Sequence, residues 1–170
     1  PMIYDKLTPR EYLEFVAGLW GVEPKLARAR AEELLDWLAL APHADERCEG
    51  FSKGMRQKVT LAGALIHEPR VIILDEPLTG LDAGSARQVK TVLRERTQSG
   101  GTIIMTTHIL EVAERMADRI GIIAHGRLIA EGTLEELQLK AGRQANADAR
   151  EGGSLEDTFL ALVAEQAQAA

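Results

Sequence analysis

Two adjacent carboxylates, Asp75 and Glu76, come directly after the apolar run Val71-Ile72-Ile73-Leu74. A strand over that run delivers both acids at its C-terminal end, where ligands sit in open α/β sheets. Neighbouring strand residues face opposite sides, which suits a division of labour. One carboxylate can orient Mg²⁺ through water, while the other polarises an attacking water. A solvated acidic pair ending a strand would explain Asp75 and Glu76 taken alone. Three further features tilt the balance. Leu78-Thr79-Gly80-Leu81-Asp82 supplies a tight backbone path at Gly80 and a carboxylate, Asp82, able to set up the next helix or reach across an interface. His108 stands at the end of a second apolar strand, where an imidazole can donate to a terminal phosphate or hold a water. Phe51-Ser52-Lys53-Gly54-Met55-Arg56-Gln57 places a serine at a helix start, where free N–H groups and the positive end of the helix dipole suit phosphate. Lys53 and Arg56 add positive charge there, and Gly54 removes a side chain that would block approach.

The elements that must position these groups are legible from caps and periodicity. Thr8-Pro9-Arg10-Glu11 combines an N-cap, a proline at the first helical position and a capping-box glutamate. The helix behind it repeats Tyr12, Phe15, Val16, Leu19 and Trp20 as one buried stripe, and Gly21 ends it. A second helix is expected from Lys25 to Leu40, stopped by Pro42, with Leu34, Leu35, Trp37 and Leu38 near one face. A third runs from Ser52 to Ile66. The pattern then alternates strand and helix: Val71–Leu74, buried on both faces; a helix from Ser85 to Thr97; Thr102–Thr106; a helix from Ile109 to Met116. Crossovers of that length imply parallel pairing. Arg119–Ala124 and Arg127–Glu131 around His125-Gly126 read as an antiparallel hairpin. Thr133-Leu134-Glu135-Glu136 caps a short helix, Gln144–Gly153 is a polar loop or partly disordered linker, and Ser154 with Asp157 caps a last helix carrying Leu155, Phe159, Leu162 and Val163. The chain thus divides into a helical block over 1–66, a strand–helix core over 67–143, and a linker with a C-terminal helix over 144–170.

Composition sets broad limits. With 170 residues, 45% hydrophobic and 27% charged, the chain is long enough to bury a substantial core and is not composed like a disordered one. A net charge of −6 gives no general attraction to nucleic acid or anionic lipid. The single cysteine, Cys48, forms no intramolecular disulfide, which fits a reducing compartment. No apolar run approaches the roughly 20 residues needed to cross a bilayer, so any membrane association is expected to come through another polypeptide or segment.

Taken together and in this order, the four elements resemble the nucleotide-binding domain of ABC ATPases. VIILDEP, Val71 to Pro77, is similar to that family's Walker B strand, Leu78–Asp82 to its D-loop and His108 to its switch histidine. Phe51–Met55 occupies the place of the signature usually written LSGGQ. Phe51, Lys53 and Met55 depart from it, Ser52 and Gly54 keep it, and a signature of the form YSKGMRQ points to the exporter branch. The tail Ser154-Leu155-Glu156-Asp157-Thr158-Phe159 is similar to a C-terminal segment of that same branch. The resemblance implies an α/β fold: a partial P-loop NTPase-like, mainly parallel sheet with an N-terminal helical subdomain and a C-terminal hairpin and helices. It implies ATP and Mg²⁺, with Asp75 on the metal side, Glu76 and His108 as catalytic residues, and Ser52, Lys53, Gly54, Met55 and Asp82 as nucleotide-binding residues. It implies a transmembrane permease and a second nucleotide-binding domain as partners, at the cytoplasmic face of the membrane, with no nucleic acid. Competing readings are a soluble ATPase of the family acting on ribosomes or DNA, and a non-catalytic interaction fragment.

A phosphate-binding loop of the form GxxxxGK with Ser or Thr next does not occur in these 170 residues, and Gly100-Gly101-Thr102 lacks the lysine. In the resembling family that loop, with the adenine-stacking aromatic and the Q-loop glutamine, precedes the part matched here. Pro1–Asp5 carries no strand or cap signal, as a chain starting inside a larger domain would. A helix N-terminus contributes at most ~2 kcal/mol toward an anion, whereas micromolar affinity needs about 8 kcal/mol. These 170 residues alone are therefore expected to bind ATP very weakly and to turn it over negligibly. Calorimetry of the isolated chain checks this, and saturable micromolar binding would overturn it.

Overall fold

The computed structural model describes residues 3–144 and 154–168, which form two compact units, Pro1–Thr106 and Thr107–Ala170. The first unit opens with helix α1 (Pro9–Leu19), whose capping box is complete: Glu11 N donates to Thr8 Oγ1 at 3.2 Å and Thr8 N to Glu11 Oε2 at 2.9 Å. Helix α2 (Pro24–Trp37) starts on the Glu23 carboxylate, packs on α1, and buries Ala27, Ala31, Leu34 and Leu35. Single 3₁₀ turns at Ala41–His43 and Cys48–Gly50 lead to α3 (Lys53–Leu65). Strand β1 (Val71–Asp75), α4 (Ala83–Gln98) and β2 (Thr102–Thr106) complete the unit, with β1 and β2 parallel in the register Val71↔Thr102 to Asp75↔Thr106.

The second unit contains α5 (Leu110–Met116), β3 (Ile120–Ala124), β4 (Arg127–Gly132), α6 (Leu134–Gln144) and α7 (Leu155–Gln168). β3 and β4 pair antiparallel with Ala124 opposite Arg127, and the turn residues His125 and Gly126 have φ of 49° and 73°. Two consecutive positive φ values define the hairpin turn whose twist matches that of the strands. Glu136 and Asp157 close capping boxes on Thr133 and Ser154. Ile120, Ile122, Ala130, Leu137, Ala141, Leu155 and Leu162 form this unit's core.

The α/β class, parallel pairing, hairpin and caps agree with the sequence reading; several finer points differ. Of the stripe expected on α1, Tyr12 alone is buried. Leu13 and Ala17 are buried beside it, while Phe15, Leu19 and Trp20 are exposed, the last two at 71% and 64%. Apolar residues surround this helix, and packing selects the arc that meets α2 and α3. There Gly63 leaves room for the Tyr12 ring, since a Cβ at Gly63 would lie 2.8 Å from Tyr12 Cε1. Trp37 is likewise exposed, and α2 ends at Trp37, before Pro42, with Ala39 turning the chain at φ 51°. Strand β1 is buried on one face, not both. Ile72 is covered, whereas Val71, Ile73 and Ile104 share an exposed apolar face; among the described residues β1 pairs with β2 only, and α4 packs on β2. The polar loop expected from Gln144 lies outside the described residues at 145–153, and Gln144 itself ends α6.

The helical block is tied to the strand–helix region of its own unit. Arg30 reaches the Ile66 carbonyl and pairs with Glu68, and Arg96 Nη2 donates to Pro69 O at 2.8 Å. Lys58 Nζ joins Leu38 O at 2.8 Å to Gln88 Oε1 at 3.1 Å.

Candidate nucleotide-phosphate site

Asp75 is the last residue of β1 and faces Thr106 across the parallel pair, where Thr106 Oγ1 donates to Asp75 Oδ1. The ladder runs one bond further, from Glu76 N to Thr106 O at 3.1 Å. The chain then turns sharply. Glu76 has φ 47°, a left-handed conformation costing a residue with a Cβ about 1–2 kcal/mol. Thr79 helps hold it there: Thr79 N donates to Glu76 O at 3.2 Å, and Thr79 Oγ1 donates to Glu76 Oε2 at 2.8 Å. Both acids are therefore oriented by threonine hydroxyls at the C-terminal end of a parallel strand.

The tip of α3 packs against the loop after β1. Ser52 caps the helix, its Oγ accepting from Met55 N at 3.2 Å. A Cβ at Gly54 would meet Leu81 Cδ2 at 3.4 Å, and one at Gly80, which has φ 78°, would meet Lys53 Nζ at 3.1 Å. Gln57 Nε2 donates to Pro77 O at 2.7 Å and to Glu76 O at 3.3 Å. Ser52, Lys53, Gly54 and Met55 are thus brought beside the loop that carries Glu76 and Asp82. Arg56 is not part of the exposed tip. Its guanidinium pairs with Asp5 and donates to the carbonyls of Phe51 at 3.2 Å and Glu49 at 3.0 Å, so its charge is committed to the fold.

Asp82 takes the first of its two expected roles. It is the N-cap of α4, accepting from Ser85 N at 2.9 Å and Ser85 Oγ at 2.7 Å. The Ser85 backbone bond, with its hydroxyl bond next, holds the Asp82 carboxyl below the usual aspartate range. A depressed folded value means that the stabilisation is complete above the unfolded value of about 3.9 and is lost as the pH falls through the folded one. The stability difference between wild type and Asp82→Ala is therefore expected to be constant above about pH 5 and to shrink on further acidification. Urea denaturation at a series of pH values checks this, and a difference that grows toward acid would contradict it.

His108 lies in the second unit, two residues beyond the end of β2, and Thr107 Oγ1 beside it accepts from Ile109 N at 3.1 Å. Among the described residues no group of three or more His, Cys, Asp or Glu side chains forms a metal cage. The donor set at Asp75 instead suits Mg²⁺ held by one carboxylate, waters and substrate phosphates, the usual mode for that ion. Gln57, Thr79 and Thr106 were not singled out by sequence. Gln57 could have been, since it lies four residues after Lys53 and so shares its helix face.

Residues 3–79 match the family described as ABC transporter, and residues 45–114 match one described as AAA domain, putative AbiEii toxin, Type IV TA system. A daunorubicin resistance ATP-binding protein of Streptomyces coeruleorubidus is 41% identical over 138 residues, covering 81% of this chain and 44% of the relative. The chain belongs to the ABC transporter ATP-binding family. A linearmycin resistance ATP-binding protein of Bacillus subtilis is 36% identical over 140 residues, 82% of this chain and 45% of its own length. An uncharacterized ABC transporter ATP-binding protein of the same organism, YthP, is 36% identical over 163 residues, 96% of this chain and 66% of its own. A solved structure titled as the ATP binding subunit of an ABC transporter superposes with TM-score 0.85 at 32% identity, over 96% of this chain and 65% of that one. The chain thus spans somewhat under half the length of the two resistance proteins. The segments expected from the sequence to be signature, Walker B and D-loop lie at the start of α3, on β1 and in the loop after β1.

Proposed function

We propose that this chain is the C-terminal part of the ATP-hydrolysing subunit of an ABC exporter, which couples hydrolysis to transport across a membrane. The observation that carries this reading is the Glu76 carboxylate, clamped by Thr79 Oγ1 at 2.8 Å immediately after an Asp75 held by Thr106. A carboxylate fixed in this way can orient and polarise a water for attack on a terminal phosphate, and such catalysis is largely positioning and charge stabilisation. Bound Mg²⁺ would supply charge neutralisation on the phosphates, with Asp75 as its protein-side support. His108 contacts the terminal phosphate in this reading. Ser52, Lys53, Gly54 and Met55 form the tip that closes over nucleotide held by a second, head-to-tail domain, and Asp82 at the base of the loop links the two sites.

The apolar face that α1 leaves uncovered suits the permease. Phe15 and Leu19 are exposed on α1 and Trp20 at its C-cap, with Tyr4 edge-on to Phe15 at 5.5 Å and the Trp20 ring stacked on His67 at 4.1 Å between ring centroids. Among the described residues no helix is long and apolar enough to cross a membrane, so the span belongs to another segment or chain. The export direction is supported by the two resistance proteins among the relatives. The test is isolation of the complete subunit with its membrane partner. Co-purification with a membrane-spanning protein and hydrolysis that requires Mg²⁺ and stops with chelator are expected. A complete, folded assembly that binds ATP and never hydrolyses it would sink the reading.

A further inference from the structure

The loop that carries Glu76 is gripped from α3 at three successive points. Gln57 Nε2 holds the carbonyls of Glu76 and Pro77. The side chain of Lys53 lies along Gly80, so that a Cβ there would come within 3.1 Å of Nζ, 3.3 Å of Cε and 3.5 Å of Cδ. Gly54 meets Leu81. Between these points stands Thr79, the donor to the Glu76 carboxylate. Gly80 has φ 78°, so the loop makes its turn where the Lys53 stem covers it. Long cationic side chains commonly cover neighbouring backbone with their methylenes while the charged head stays in water.

We infer that Lys53 is a positioning residue of the hydrolytic site: its stem seats the 77–81 loop on α3, and through Thr79 this fixes the orientation of the Glu76 carboxylate. The inference rests on the ATPase reading above and narrows the part Lys53 plays in the α3 tip, from phosphate contact to mechanical support. The family's usual glycine has no side chain to make this contact, so the grip belongs to signatures with lysine at this position. It also gives the two halves of the composite site a physical link. Nucleotide seated on Ser52 and Gly54 bears on the same helix tip that holds the loop behind Glu76.

The test is steady-state ATP hydrolysis by the complete subunit with its membrane partner. Lys53→Ala is expected to lower kcat about tenfold, the scale of a modest misplacement of a reacting group, with KM unchanged to within about twofold. Lys53→Met keeps the stem without the charge and is expected to recover more than half of the lost kcat. Thr79→Val should reproduce the fall, Thr79→Ser should reverse it, and Lys53→Ala should add little in the Thr79→Val background, because both act on one carboxylate. Lys53→Met behaving like Lys53→Ala with a raised KM would assign the ammonium to phosphate and overturn the inference, as would additive losses in the double variant. Glu76→Gln separates the two readings. If it turns over at a near-wild-type rate, the hydrolytic reading itself falls. If it is inactive while Lys53→Ala keeps wild-type kcat, only the positioning role falls.

Discussion

Replacing Glu76 by glutamine in the complete subunit is expected to slow ATP hydrolysis by about 10²–10⁴-fold while leaving ATP affinity close to wild type. Glutamine matches glutamate in size, and its amide oxygen can still accept from Thr79 Oγ1, which holds the present carboxylate at 2.8 Å. The Gln57 bonds to the carbonyls of residues 76 and 77 do not involve the side chain and persist. What disappears is the ability to draw a proton from water and to bear negative charge beside it. The loss should therefore fall on kcat, with equilibrium binding of a nonhydrolysable ATP analogue as the control. Near-normal turnover would remove Glu76 from its role.

Lys58→Ala should be among the most damaging substitutions for stability. Lys58 is 7% exposed, and its ammonium ties the Leu38 carbonyl at the end of α2 to Gln88 on α4. Alanine leaves both acceptors without their donor and empties most of the side-chain volume, at a combined cost of about 2–4 kcal/mol. Lys58→Met fills the volume and should recover part of that cost. Burial holds the Lys58 ammonium below the usual lysine range, with Asp82 acting in the opposite sense. The depressed folded value means that burying the charge costs stability below the folded value, and that this cost is relieved as the pH rises toward the unfolded value of about 10.4. Wild type should thus gain on Lys58→Met as the pH rises through that window. Denaturant midpoints at constant slope measure both effects.

Features decided by a few adjacent residues were legible in the sequence. Thr8, Ser52, Thr133 and Ser154 cap their helices as their spacing requires, and His125-Gly126 makes the turn its residue types favour. The run Val71–Leu74 forms the strand that presents Asp75 and Glu76. Arrangements that depend on distant partners were not legible. Periodicity on α1 cannot choose between Leu13 and Phe15 when nearly every position is apolar, and the choice falls to α2 and α3. Arg56 reads as a free cation beside Ser52 until Asp5, 51 residues away, claims it. Gln57 reads as an ordinary helical polar residue until α3 is laid against the loop after β1. The site was therefore visible as a set of chemical groups, and its supports were not.

The exposed face shared by Val71, Ile73 and Ile104 has a practical consequence for work with these 170 residues alone. Strand edges and aliphatic surface invite lateral stacking between molecules, and the main colloidal opposition is repulsion from a net charge of −6. Acidification discharges that repulsion, added salt screens it, and sulfate also strengthens apolar association. Dilute neutral buffers of low ionic strength should keep the chain dispersed, whereas ammonium sulfate should precipitate it early.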